Sequence, residues 1–257
     1  MCHRSTNALG RKHALAMLPS SIAIGGAQTA LPPRAPYEAR YTPRAAIIGF
    51  AFETQAGMHA FASDREVSFR ARPNSLAYVP AGCDVMSRSG GGGEYLTVQM
   101  AAGSALPPSA ERRFSDHIDP TAVAAAQNLR RMLLTRPSAD PLLLEAEIAN
   151  LCDAARRVLE GRATHAPAAR SMTARRLRLV DELIEARLER GVTVDELAGA
   201  LGLSAGFFRR AFKAAIGKAP HDYIIDRRLS RARLLLQSGN RGLAEIAGQS
   251  ARALRLA

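Results

Sequence analysis

The 257-residue chain has no run of 18 consecutive apolar residues, so no segment reads as a helical membrane span. It is short of acid. Only 23 Asp and Glu stand against 35 Lys and Arg, a formal charge of +12, which points to a polyanion partner, most often nucleic acid. A basic, Arg-rich background composition is the bland alternative. Charge location separates the two: from Ser171 onward there are 16 Lys and Arg against 9 Asp and Glu, so +7 of the +12 lies in the last third. Cysteine is scarce and odd in number. Cys2, Cys83 and Cys152 are widely spaced, which gives neither a disulfide framework nor a zinc site and fits a reduced, cytoplasmic compartment. Histidine is thin as well. No His-x-His pair occurs, and the strand-rich region holds only His59. Clustered His and carboxylate, which a metal-dependent enzyme needs, are not in view. No enzyme activity, metal or cofactor is expected, and His59 reads as an ordinary strand histidine.

What is present reads as two parts. Apolar residues make up 47% of the chain, ample for a real core. Residues 1–40 read as a poorly ordered or wrongly extended leader. A signal peptide is disfavoured there because Pro19, Ser20 and Ser21 interrupt the apolar stretch. From residue 45 to 100 short strands follow at close spacing. "REVSFRARP" alternates, with Val67, Phe69 and Ala71 on one face, and "SLAYVPAG" ends in a turn. Such spacing suggests a small barrel or sandwich. Gly90 to Gly93 read as a flexible hairpin loop; no helix follows, so a phosphate cradle is not expected. Asp119-Pro120 and Asp140-Pro141 each open a helix with an N-cap and a proline at the first position. In the second, Leu144, Ile148, Leu151, Ala155 and Val158 form a stripe. It either covers the barrel or packs against a second subunit. Residues 161–172, small, basic and Pro-containing, read as a linker.

The last third carries the sharpest pattern. Thr173 caps a helix running to about Arg190. Thr193 and Glu196 form a capping box, Gly202 sits at a sharp turn, and Ser204 caps the next helix. Phe208, Phe212 and Ile216 at i, i+4, i+8 give that helix an apolar back, while Gly206, Arg209, Arg210 and Lys213 occupy its outer face. This is a helix–turn–helix whose second helix presents cations to a major groove. A long helix from Pro220 follows, with Ile225, Leu229, Ala232 and Leu236 expected on its inner stripe. Val194-Asp195-Glu196-Leu197-Ala198 then returns as Leu243-Ala244-Glu245-Ile246-Ala247, an offset of 49 residues. In that register Arg210 would correspond to residue 259, so the second unit is expected to be incomplete.

Residues 173–247, with "VDELAGALGLSAGFFRRAFKAAIGKAPHDYIIDRRLSRARLLL" followed by "LAEIA", resemble the AraC/XylS family of bacterial transcription regulators. "RARPNSLAYVPAG" and "GGGGEYL" look like that family's cupin-like sensor domain. The resemblance implies an α+β fold. A cupin-like domain with a helical hairpin would span residues 41–160, and an all-α DNA-binding region residues 173–257. It implies major-groove DNA as partner, a small-molecule effector, and a homodimer joined through the helical pair. By motif position, Gly206, Phe207, Arg209 and Arg210 would face the DNA. Gly206 departs from the family, which carries a longer side chain there, and so removes one base contact. "GQSARALRLA" departs further, standing where a second recognition helix belongs. Two readings stay open: a regulator weakened by that loss, and a remnant that only dimerises or binds ligand.

Overall fold

The computed structural model describes residues 21–100, 112–135, 140–162, 167–188 and 190–237. Ten strands come first: β1 (Ser21–Ile24), β2 (Ala27–Ala30), β3 (Tyr37–Tyr41), β4 (Ile47–Ala51), β5 (Gln55–Phe61), β6 (Val67–Ala71), β7 (Ser75–Val79), β8 (Val85–Ser89), β9 (Tyr95–Gln99) and β10 (Phe114–His117). Helices follow: α1 (Pro120–Leu134), α2 (Pro141–Leu159), α3 (Ala174–Ala186), α4 (Val194–Ala200), α5 (Ala205–Ile216) and α6 (Pro220–Gln237).

The strands pair as a nested ladder: β2 with β9, β3 with β8, β4 with β7, β5 with β6, all antiparallel. Rolling such a ladder sends alternate pairs to opposite sheets. The orders are β1-β2-β9-β4-β7-β10 and β3-β8-β5-β6. This is a jelly roll, the architecture of cupin-like domains. Residues 21–40, assigned to a leader on sequence grounds, are a correction. They supply β1, β2 and most of β3, and β2 pairs with β9 inside the six-stranded sheet. Residues 1–20 lie outside the described residues.

The aliphatic core lies outside the roll, between the six-stranded sheet and α1–α2. Ile48, Phe50, Leu76, Tyr78, Leu96 and Val98 share one sheet face and are at most 2% exposed. They join one cluster with Leu129, Leu133, Leu144, Ile148 and Leu151 of the helices. The α2 stripe therefore covers the sheet. Ala154 and Leu159 complete it, where the sequence pattern put Val158. Both helices start as their sequences require. Asp119 Oδ1 accepts from the Ala122 amide and Asp140 Oδ1 from the Leu142 amide, each at 3.0 Å.

The glycine loop is packed, contrary to the flexible hairpin read from sequence. Gly92 donates its amide to Ser89 Oγ at 3.1 Å. Glu94 beside it is held by Arg34 and, at 2.6 Å, by Arg130 of α1, so ion pairs pin the loop to the helical layer. Gly92 has φ +60, and a Cβ there would sit 2.2 Å from the Ala35 carbonyl oxygen. Gly92→Ala meets fixed backbone in a strained conformation. It should destabilise the roll by about 1–3 kcal/mol, read as a lower urea midpoint. An unchanged midpoint would show that the loop yields freely.

The sequence-defined linker is also shorter than expected. Pro167–Ser171 form a 3-10 turn, and Met172 is 4% exposed in the core of the helical region.

Candidate nucleic-acid interface

The helical region is built on local capping. Thr173 Oγ1 accepts from the Arg176 amide at 3.3 Å to start α3. At α4, Thr193 donates its amide to Glu196 Oε2 at 2.7 Å, and Glu196 returns its amide to Thr193 Oγ1 at 3.2 Å. That backbone donor, then the Thr193 hydroxyl and Arg187, hold the Glu196 carboxyl below the usual carboxylate range. The chain turns at Gly202 with φ +66. Leu203 then closes the turn onto the Ala198 carbonyl at 3.0 Å. Ser204 Oγ accepts from the Phe207 amide at 3.3 Å, and Gly217, φ +70, ends α5.

These caps fix which face of α5 is outward. Phe208 and Phe212 are fully buried, their ring centroids 5.4 Å apart, and Tyr223 of α6 meets Phe212 edge-on at 5.3 Å. Gly206, Arg209, Arg210 and Lys213 are exposed on the opposite side, while Phe207 is half-buried and packs partly on the core. Arg209 leans towards Asp195 at 3.7 Å, a weak exposed pair. Among the described residues no carboxylate pairs with Arg210 or Lys213. A Cβ on Gly206 would lie 3.8 Å from the Arg210 guanidinium. Arg210 thus reaches back over the site that glycine leaves bare, as helical side chains lean towards the N-terminus. Nearby, Arg175, Arg176 and Arg178 of α3 line a groove of about 600 Å³ with Ala200 and Leu201. Glu182 lines the same groove, so its three arginines face one carboxylate there.

Helix α6 corrects the expected stripe. Beyond Pro220, the buried positions among its described side chains are Tyr223, Ile224 and Arg228, whereas Leu229 is 46% and Leu236 44% exposed. Tyr223 wins the inward place because its hydroxyl has a partner, donating to Asp181 Oδ1 at 2.5 Å. That rotates the leucine stripe away from the core. The repeated segment at 243–247 and everything bearing on a second unit lie outside the described residues.

The interior of the roll is unlike its outer face. Opposite the aliphatic side, the six-stranded sheet shows Gly49, Ala51, Thr97 and Tyr95 to the other sheet. A Cβ on Gly49 would lie 1.9 Å from the Tyr95 hydroxyl, so glycine makes room for that ring. Tyr37 shares a hydrogen bond with Ser87 at 3.3 Å. Burial raises the Tyr37 phenol and, with Tyr41 and Tyr37, that of Tyr95; Tyr41 is raised too, although it remains 39% exposed. All three stay neutral hydrogen-bonding groups. His59 stacks on Phe69 at 5.0 Å, and burial and Arg113 lower its pKa. Sequence reading missed the tyrosines. Their signal was the even spacing of Tyr37 and Tyr41, which puts both on one strand face. Among the described residues no group of three or more His, Cys, Asp or Glu is placed to hold a metal ion. Among them, too, no helix is long and apolar enough to cross a membrane.

The described residues thus define a jelly-roll domain with a helical hairpin, followed by a capped helix–turn–helix with a cationic outer face. No family model matches the chain. A "Probable transcriptional regulator LumQ" of Photobacterium leiognathi is 32% identical over 69 residues, 27% of this chain and 28% of that protein. The match therefore spans little more than a quarter of the relative's length. Among solved structures, the AraC-like transcriptional activator CuxR superposes with TM-score 0.42 at 13% identity, covering 82% of this chain and 79% of that one. ToxT from Vibrio cholerae gives 0.34 at 10%, covering 88% and 89%. Bacillus subtilis oxalate decarboxylase OxdC gives 0.26 at 12%, over 45% of this chain and 32% of its own. At such scores no superposition bears weight; the fold rests on the strand pairing. The chain's resemblance to AraC-type regulators rests on its helix–turn–helix sequence, and the LumQ match is to a probable transcriptional regulator.

Proposed function

We propose that the chain is a sequence-specific, DNA-binding transcription regulator of the AraC type, acting in the cytoplasm and not as an enzyme. One observation carries the reading: α5 has a fully buried aromatic back and an exposed front of Gly206, Arg209, Arg210 and Lys213. A major-groove reader needs that division, since the back fixes the helix and the front supplies donors to guanine edges or phosphates. Arg210, lying over Gly206 at the N-terminal end of α5, takes the place of the side chain Gly206 lacks. Arg209 and Lys213 grip the backbone, and Phe207 lines the contact while packing on the core. A small-molecule effector would occupy the interior of the roll, among the phenols of Tyr37, Tyr41 and Tyr95. A homodimer contact would form at the exposed end of the hairpin, where Leu134, Leu142 and Leu143 are 54%, 76% and 48% exposed.

The test uses duplexes that the wild-type chain selects from a random pool. Arg210→Ala should weaken binding by about 1–3 kcal/mol and relax choice at one base pair. Unchanged affinity and unchanged preference would remove Arg210 from the interface. A wild-type chain that selects no duplex would overturn the DNA reading.

A further inference from the structure

The candidate recognition helix does not end in solvent; it ends against the jelly roll. Arg72, between β6 and β7, donates Nη1 to the Ala215 carbonyl at 3.1 Å, and Asn74 donates Nδ2 to the Gly217 carbonyl at 3.1 Å. The last carbonyls of a helix lack partners within it and carry partial negative charge. A guanidinium and an amide are the complementary groups.

Arg72 is itself held in place. Asp116 accepts from its backbone amide and its Nε, each at 2.8 Å, and the Asp116 carbonyl accepts from Nη2 at 2.6 Å. Asp116 and Asn74 both have left-handed backbone, φ +59 and +60. Asp116 lies where the register of β10 against β7 breaks. The irregularity of β10 thus aims Arg72 at α5. Gly217 lets the surfaces close, since a Cβ there would lie 3.3 Å from Asn74 Cβ and 3.4 Å from Val123 Cγ2 of α1. A second tether runs alongside. Arg70 of β6 pairs with Asp181 of α3 at 3.0 Å, and Asp181 is the acceptor for Tyr223.

These contacts grip the C-terminal end of α5. The Arg210 guanidinium lies over Gly206, close to the helix's first turn, so the docked roll leaves the cationic face open. An arginine whose three guanidinium nitrogens each hold a partner is a fixed strut, and its far end rests on the helix that would read DNA.

We propose that Arg72, aimed by Asp116, and Asn74 are positioning residues for the DNA-reading helix. They lie in the jelly roll and set the orientation of α5. The inference rests on α5 reading DNA.

Two variants of the full chain test it. Asn74→Gly removes the amide without straining the backbone, because glycine adopts φ near +60 freely. Arg72→Lys keeps the charge and loses the fork that joins Asp116 to Ala215. Three measurements are made: amide hydrogen exchange in the last turn of α5, exchange in β4 and β7, and affinity for a duplex selected by the wild-type chain. Both variants should exchange faster in the last turn of α5 and unchanged in the strands, and bind the duplex about fivefold more weakly or worse. Faster exchange with wild-type affinity would reduce the contact to scaffolding and overturn the proposal, as would no change in either. A wild-type chain that selects no duplex would sink the DNA reading and this proposal with it; variants that match a binding wild type sink this proposal alone.

Discussion

Phe212→Ala should unfold the helical region and abolish duplex binding, while the jelly roll keeps its own strand signal. Phe212 is 1% exposed and stands between two aromatic neighbours, Phe208 at 5.4 Å and Tyr223 at 5.3 Å. One truncation therefore opens a cavity that touches both α5 and α6. Removing a buried phenylalanine costs about 3–5 kcal/mol, the lost transfer energy plus the cavity. A domain holds only about 5–15 kcal/mol in total, and this core is small: Val180, Ile184, Leu197, Ala198, Phe208, Phe212 and Ile224 are half of its buried residues. The measurement is a thermal melt followed by helical circular dichroism. A midpoint within about 4 °C of the wild type would show that the rings are not what holds α5.

The helix–turn–helix was legible because its signals are local. Thr193 and Glu196 are three residues apart, as are Ser204 and Phe207, and each pair decides a helix start without help from the rest of the chain. The cationic front of α5 was legible for the same reason, since 3.6-residue periodicity puts Arg209, Arg210 and Lys213 opposite Phe208 and Phe212. The strand order was not. The β2–β9 pair joins Gln28 to Gln99, and nothing near either residue announces the other. Residues 1–40 read as a leader because they are weakly apolar and rich in small residues, and the strands found there are short, with β2 reading Ala-Gln-Thr-Ala. Their place is set by β8 and β9, far along the chain. The α5 clamp was invisible for the plainest reason: Arg72 and Ala215 are 143 residues apart. The α6 stripe failed differently. A period was present in the leucines, but the hydrogen bond from Tyr223 to Asp181 outweighed it, and hydropathy does not count such bonds.

The α2 stripe presented a choice that sequence left open, and its resolution sets the second large effect. Leu144→Asp together with Leu151→Asp should abolish cooperative folding of the jelly roll and its hairpin. Leu144 is 2% and Leu151 0% exposed, and both lie in one cluster with Phe50, Leu76 and Leu96 of the sheet. Each substitution removes roughly 1.5–3 kcal/mol of burial. Each also sets a carboxylate among aliphatic side chains, where the effective desolvation cost is several kcal/mol more. Two such losses exceed what a domain of this size holds in reserve. A subunit interface would behave otherwise, since an interfacial leucine returns to water when the dimer parts. Leu142→Asp with Leu143→Asp, just before Leu144 on the same helix but 76% and 48% exposed, makes the contrast. That pair should leave the melt unchanged and lower the mass seen by light scattering at micromolar concentration. A folded monomer from the Leu144/Leu151 pair would place the stripe between subunits and overturn its assignment to the sheet. An unaltered mass from the Leu142/Leu143 pair would remove the hairpin tip from the dimer contact.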